Sequence, residues 1–301
     1  MYRLLGVLFL VLCASPLLAE GRVYLGMGGL SSNDAYGDFQ DRWQTASRSH
    51  SFVFGPEGTV SAPADIGAVL ELRSGFQVIT PDNTMTPAPG DRPVVGVLRS
   101  GVHTHFSRLG AEFVLGAGVE AMGPATQVTA LQDRFHATLG FDQIAAPVLA
   151  AQMGNKLRPM LGAEAAWSMQ MDPNITFRPF AELRAGLESY GRIGADLLIG
   201  DGFGHGLLGR DYVTGQPYKI TDPHDGPSVS LLLGADTAAM LNSQFLPAAT
   251  PATTLRTRIR AGMMVEDSAF SFYYGATYLT PEFQGQPSGQ LLGSMQIKMR
   301  F

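Results

Sequence analysis

The 301-residue chain is short of several things, and each shortage excludes something. It has one cysteine, Cys13, inside an N-terminal apolar segment, so a disulfide framework is excluded and an exported form must draw its stability from architecture. Only 16% of residues are charged, too few for an ordinary water-facing surface of this size. The net charge of −5 argues against a nucleic-acid partner. Beyond the first 19 residues no run approaches the roughly eighteen apolar residues of a membrane-spanning helix. No G-x-S-x-G elbow marks a serine hydrolase. What is abundant is glycine, 36 residues, in a chain of slightly positive mean hydropathy. Apolar but repeatedly interrupted composition suits many alternating strands separated by turns.

The N-terminus reads as a secretory signal peptide over residues 1–19. Arg3 is followed by the short apolar run Leu4 to Leu12, then Ala14-Ser-Pro16, with cleavage expected after Ala19. The remainder, 20–301, shows no repeat and no domain boundary. In the first strand, Val23, Leu25 and Met27 share a side, and the second begins near Arg48 with His50, Phe52 and Phe54 in phase. Leu70, Leu72, Phe76 and Val78 alternate with Glu71, Arg73 and Gln77, and Arg256, Arg258 and Arg260 line one side of another strand. At the C-terminus Met295, Ile297, Met299 and Phe301 face one way, with Gln296, Lys298 and Arg300 facing the other.

About twelve such strands are expected, many of ten residues or more, which suits tilted spanning strands better than soluble ones. The fold class is therefore all-β, a closed antiparallel transmembrane barrel whose charged faces line the lumen. Residues 201–228 read as one long loop, of the kind that usually faces outward in such barrels. His103 and His105, two apart, read as loop or rim residues. His205 and His224 lie in the long loop without an assigned role.

One stretch breaks the alternation. Between Met122 and Gly140, Pro124 suits a first helical turn and Gly140 a helix end. Val128, Leu131, Phe135 and Leu139 recur at helical spacing, an apolar stripe expected to pack on the barrel. Gln132 and His136 stack one turn apart beside it. Two readings stand at this point: an amphipathic cover, or a helix presenting His136 as a general base. The loop after the first strand holds Asn33, Asp34, Asp38, Gln40 and Asp41, oxygen donors suited to a hard cation but without EF-hand spacing.

Taken together, Asn33-Asp34, Asp41-Arg-Trp-Gln-Thr45, Gly123-Pro124, Gln132-Asp-Arg-Phe-His136 and Gly140 resemble the outer-membrane lipid A 3′-O-deacylase family of LpxR type. The motif identity covers mainly residues 23–54 and 116–144, and the terminal Phe301 agrees with it. The resemblance implies a twelve-stranded barrel, integral to the outer membrane and expected to be monomeric. It would hydrolyse the 3′-acyloxyacyl ester of lipid A in lipopolysaccharide of the outer leaflet. By the resemblance His136 is the catalytic base and Gln132 the residue one turn before it. Asn33 and Asp34 serve activity and a Ca²⁺ ion, Thr45 is an active-site hydroxyl, and Asp142 stands where the family has an acidic residue. Asp142 could instead be a structural part of Gly140-Phe-Asp-Gln-Ile144. The family's phosphate-binding Lys-Arg pair is absent, its region reading Pro81-Asp-Asn-Thr-Met-Thr86, with Arg92, Lys156 or Arg158 as substitutes. An outer-membrane phospholipase and a passive pore or structural barrel are the competing readings.

Overall fold

The computed structural model describes residues 21–204, 206–221 and 226–299. The signal peptide with Cys13, the histidines at 205 and 224, and the terminal Arg300-Phe301 lie outside the described residues.

Twelve strands close into one antiparallel barrel. They are β1 (Val23–Asn33), β2 (Trp43–Gly55), β3 (Val69–Thr80), β4 (Val95–Arg108), β5 (Ala111–Met122) and β6 (Lys156–Ala166), then β8 (Ile175–Ala185), β9 (Glu188–Ile199), β12 (Ser228–Ser243), β13 (Leu255–Glu266), β14 (Phe270–Leu279) and β15 (Gln290–Met299). Neighbours in sequence pair with one another, β1 pairs with β15, and β6 pairs with β8. The short β7 (Met169–Asp172) continues the line of β6 along β8 after a break at Trp167. Among the described residues no helix is long and apolar enough to cross a membrane; the strands do the crossing.

The alternation read from the sequence sorts inside from outside. On β13 Arg258 and Arg260 are buried while Leu255, Ile259 and Met263 are exposed. On β15 Gln296 is buried and Ile297 and Met299 are exposed. An apolar outer wall and a polar interior are what a lipid-facing barrel requires. The lumen is filled rather than open. Asp236 takes Arg258, Arg260 and Arg192, and Asp196 takes Arg260 and Arg210. His103 and His105 belong to this interior and not to a loop or rim: both are buried mid-strand on β4, with His105 Nε2 2.7 Å from Glu71. The two-residue spacing correctly put them on one face but could not say which.

The stretch expected to be a long outward loop is instead a plug. Residues 200–204 leave β9 at the end opposite the long β5–β6 connection, and residues 206–221 lie folded back into the barrel. There β10 (Leu208–Arg210) and β11 (Pro217–Lys219) form a hairpin. Arg210 pairs with Glu164 and Asp196, and Lys219 with Glu266, while Tyr218 and Ile220 join a core of Leu30, Val53, Leu232 and Tyr273. A loop this rich in Gly and Pro reads as solvent-facing until its Arg, Lys and Tyr are matched to carboxylates on the opposite wall. At the other end Trp43, Leu246 and Phe283 close the mouth.

Two β-bulges shift the phase of the first hairpin. One lies between Tyr24 and Gly26, so Leu25 packs against the interior core while Met27 faces out, contrary to the single face expected for them. The other lies between Gln44 and Ala46 on β2, which begins at Trp43 rather than near Arg48. Bulges of this kind re-aim a side chain next to a functional site, and the residue re-aimed here is Thr45.

Candidate active site

The β5–β6 connection, residues 123–155, carries a 3-10 turn over Pro124–Thr126 and then α1 (Val128–Leu139) and α2 (Ala146–Ala150). Pro124 does open the segment, but the helix is not continuous from it: Gln127 takes a left-handed conformation (φ 60°) between the turn and α1. Gly140 ends α1 at φ 77°, its N–H returning to the His136 carbonyl, as a left-handed C-terminal glycine does.

The start of α1 sits on the outer wall of the barrel. A Cβ built on Gly96 of β4 would lie 3.1 Å from the Thr129 methyl and 3.2 Å from the Val128 Cβ, so any side chain there would press on the helix. Val128 and Thr129 are buried by that contact. The rest of the stripe is not: Leu131, Phe135 and Leu139 are 66%, 59% and 53% exposed, and Phe141 after them is 59% exposed. The expected packing of the whole stripe on the barrel is therefore corrected. Periodicity reports that a helix has an apolar face; beside a lipid-facing wall that face can turn to the bilayer instead of to protein.

His136 is the centre of the cleft between α1 and the wall. Its Nδ1 donates to the backbone carbonyl of Asp142 at 2.9 Å. Asp41 Oδ2 flanks the same nitrogen at 3.8 Å. A donor role at Nδ1 leaves Nε2 as the lone-pair nitrogen, the arrangement a general base needs. The ring lies edge-on to Phe141, centroids 5.8 Å apart. Asp142 thus serves His136 through its carbonyl oxygen. Asp133 Oδ1 accepts from the Ile144 N–H at 2.9 Å and holds the chain that supplies that carbonyl.

Across the cleft, Thr45 stands in the bulge of β2, with its Oγ1 2.7 Å from Thr80 Oγ1 at the end of β3. Burial raises Asp41 above the usual carboxylate range, and the nearby His136 and a hydrogen bond with Thr45 pull it partly back. Asp41 therefore links Thr45 to His136. Asp34 is 2% exposed, and its Oδ2 accepts from the Arg42 N–H at 2.8 Å. Burial pushes its carboxyl up to about 8 against that bond, helped by the Asp41 and Asp38 carboxylates. Asn33 Oδ1 accepts from the Ala35 N–H at 2.7 Å and caps the 3-10 turn Asp34–Tyr36. Gln132 Oε1 is buried without a hydrogen-bond partner. Phe39 and Trp43, like Gln127, hold left-handed conformations without being glycine, the kind of local strain that gathers around working sites.

The structure therefore brings His136, Asp41, Thr45 and Asp142 together, with Asp34 electrostatically coupled through Asp41. Asn33 shapes the loop, and its oxygen is already engaged. Sequence reasoning placed Asp41 in an oxygen-rich loop and at the head of Asp41-Arg-Trp-Gln-Thr45 without giving it a role, and passed over Thr80. The latter was reachable from register, since Thr80 is the cross-strand partner of Trp43.

No cluster of three His, Asp or Glu side chains converges as a metal cage among the described residues. Asp34 nevertheless carries the marks of a cation ligand: a buried carboxyl held up by burial and by neighbouring carboxylates, in a loop of amide and backbone oxygens. A hard cation taking one carboxylate and several neutral oxygens or waters fits this donor set.

A closed twelve-stranded barrel with an apolar outer wall and a filled polar lumen is an integral outer-membrane protein, here with a polar cleft on its outer surface. The chain belongs to the LpxR family of outer membrane proteins, whose family model matches residues 5–301. Among solved structures it is similar to LpxR from Salmonella typhimurium, with a TM-score of 0.76 at 16% identity, covering 92% of this chain and 100% of that one. The monoaromatic hydrocarbon channel CymD follows at TM-score 0.37 and 10% identity, covering 96% and 93% of the two chains. The transport unit of the Escherichia coli autotransporter AIDA-I follows at 0.37 and 11%, covering 97% and 96%. No curated protein sequence matches the chain.

Proposed function

We propose that the protein is a lipid A 3′-O-deacylase that hydrolyses the 3′-acyloxyacyl ester at the outer leaflet. The observation that carries this reading is His136, tied through Nδ1 to the Asp142 carbonyl, with its other nitrogen free in a polar cleft on the outer wall. The cleft opens where lipid esters reside, at the end of the barrel bearing the long β5–β6 connection. Family membership supports the same reading.

In the proposed reaction His136 Nε2 takes a proton from water, which attacks the ester carbonyl, and returns it to the leaving sugar oxygen. Asp41 balances the charge that develops on the imidazole, and Asp142 keeps the ring oriented. Thr45 and Thr80 hydrogen-bond each other, so whichever hydroxyl accepts keeps its own proton for substrate or water. A Ca²⁺ ion held through Asp34, with backbone oxygens of the same loop and waters as its neutral donors, would polarise the carbonyl. Arg42, which bonds Asp38 and Asp82 and lies 4.5 Å over the Trp43 ring, fixes this loop.

Two observations weigh against the alternatives. A phospholipase using a Ser–His pair lacks its pair, since among the described residues no serine hydroxyl hydrogen-bonds a histidine. A passive pore does not suit a lumen occupied by a hairpin and a charged network. The test is release of the 3′ acyl unit from purified lipid A by the purified protein in Ca²⁺, with EGTA and with His136→Ala. Release that survives both treatments would refute the assignment.

A further inference from the structure

Every outward position of a barrel wall is normally apolar or neutral, and β2 departs from this just below the cleft. Ser47, Ser49 and Ser51 face the lumen, where Ser49 Oγ donates to Asp211 at 2.7 Å and Ser51 Oγ contacts Tyr218. Alternation then turns Arg48 and His50 outward. Arg48 is exposed, and its Nη1 donates to Ser31 Oγ on β1 at 2.7 Å. The remaining guanidinium N–H groups have no hydrogen-bond acceptor. His50 lies edge-on to Phe52 with centroids 4.6 Å apart, and its Nδ1 is buried without a partner. Ser74, the cross-strand neighbour of His50 on β3, faces the same way. Among the described residues Arg48 is the one charged side chain directed outward from the interior of a barrel strand.

This strip is in register with the active site. Ser31 lies two residues below Asn33, and Arg48 three below Thr45. At about 3.3 Å per residue on tilted strands, that places the guanidinium stem roughly 5–8 Å deeper toward the bilayer. Phosphates and sugars lie on the other side of the ester, toward solvent. What descends past Arg48 is the acyl chain itself.

We infer that Arg48, with Ser31 and His50, is a specificity site that binds the oxygen substituent on the third carbon of the acyl chain being released. Resting on the deacylase reading, this deepens it: a 3-acyloxyacyl or 3-hydroxyacyl chain carries an oxygen three bonds from the scissile carbonyl carbon, and a plain fatty acyl chain does not. The spare Arg48 N–H groups donate to that oxygen or to the secondary ester carbonyl. A polar set facing lipid rather than water, built to hold an oxygen, discriminates against a chain lacking it.

The test uses the full-length protein in detergent micelles with two matched, phosphate-free glucosamine 3-O-esters, one bearing a 3-acyloxytetradecanoyl chain and the other plain tetradecanoyl. The wild type is expected to favour the oxygenated ester by about tenfold or more in kcat/KM. Arg48→Leu should lose about 10- to 100-fold on that ester while staying within roughly threefold on the plain one. Leucine suits a lipid-facing position, and heat-modifiable gel mobility confirms that the variant is folded. Arg48→Lys should recover part of the preference. Equal loss on both esters, or none, overturns the inference. So does a loss that appears only with phosphorylated substrate, which would make Arg48 a phosphate ligand. A wild type that cleaves neither ester refutes the deacylase reading itself and takes the inference with it.

Discussion

Asp34→Asn should make the protein more stable at alkaline pH when calcium is withheld. Asp34 is 2% exposed, and its carboxyl is pushed from 3.8 up to about 8 by burial and by Asp41 and Asp38, against the Arg42 N–H bond. Between these two values the folded protein holds a proton that the unfolded chain has lost. Stability therefore falls as pH rises through this window and levels off above about pH 8. The full span corresponds to roughly 6 kcal/mol as an upper bound, and the accessible step from pH 6 to pH 8 to roughly 2 kcal/mol. Asparagine keeps an oxygen for the Arg42 N–H and has no charge to bury. The assay is urea unfolding in a zwitterionic detergent, followed by tryptophan fluorescence across pH 6–8 in EGTA. The wild type should lose stability over that range and the variant should lose much less. Calcium should abolish the wild-type decline, because a cation replaces the proton, and should do nothing for the variant. Parallel pH profiles for the two proteins in EGTA would show that Asp34 is not the strained carboxyl described here.

Asp236→Ala removes the shared partner of Arg192, Arg258 and Arg260, leaving buried guanidinium groups uncompensated; a loss of about 3–5 kcal/mol is expected in the same urea assay. Leu131→Gln with Phe135→Gln alters only exposed positions of α1, so activity should fall several-fold or more on lipid A in bilayer vesicles and stay near wild type in detergent. Equal activity in both settings would remove the helix from the membrane. Asp41→Asn keeps the shape of the cleft but not the charge beside His136; kcat should drop about tenfold or more, with KM nearly unchanged.

The barrel was legible because a lipid-facing wall leaves a strong period-two signal. Leu70, Leu72 and Phe76 against Glu71, Arg73 and Gln77 are enough to assign the two faces of β3. The site was legible in its histidine helix and in Thr45, through the local pattern Asp41-Arg-Trp-Gln-Thr45. What escaped was whatever depends on distant pairing. The plug hairpin looked like a loop because its stabilising partners, Glu164, Asp196 and Glu266, lie on other strands. The phase of Leu25 and Met27 was hidden by a bulge, which no alternation rule foresees. The stripe on α1 was visible, but its direction depended on whether protein or lipid lay beside it. Asp142 was identified by its side chain, whereas the atom that reaches His136 is its backbone oxygen, and a carbonyl has no sequence signature.

The central claim, that His136 drives ester hydrolysis on lipid A, is tested most directly by mass spectrometry of lipid A from cells producing the wild type or His136→Ala at equal levels in the outer membrane. The account predicts loss of a 3′-acyloxyacyl unit with the wild type, dependent on available calcium, and intact lipid A with the variant, at least about 100-fold less product. Unmodified lipid A with a folded wild-type barrel, or full deacylation by His136→Ala, would contradict it.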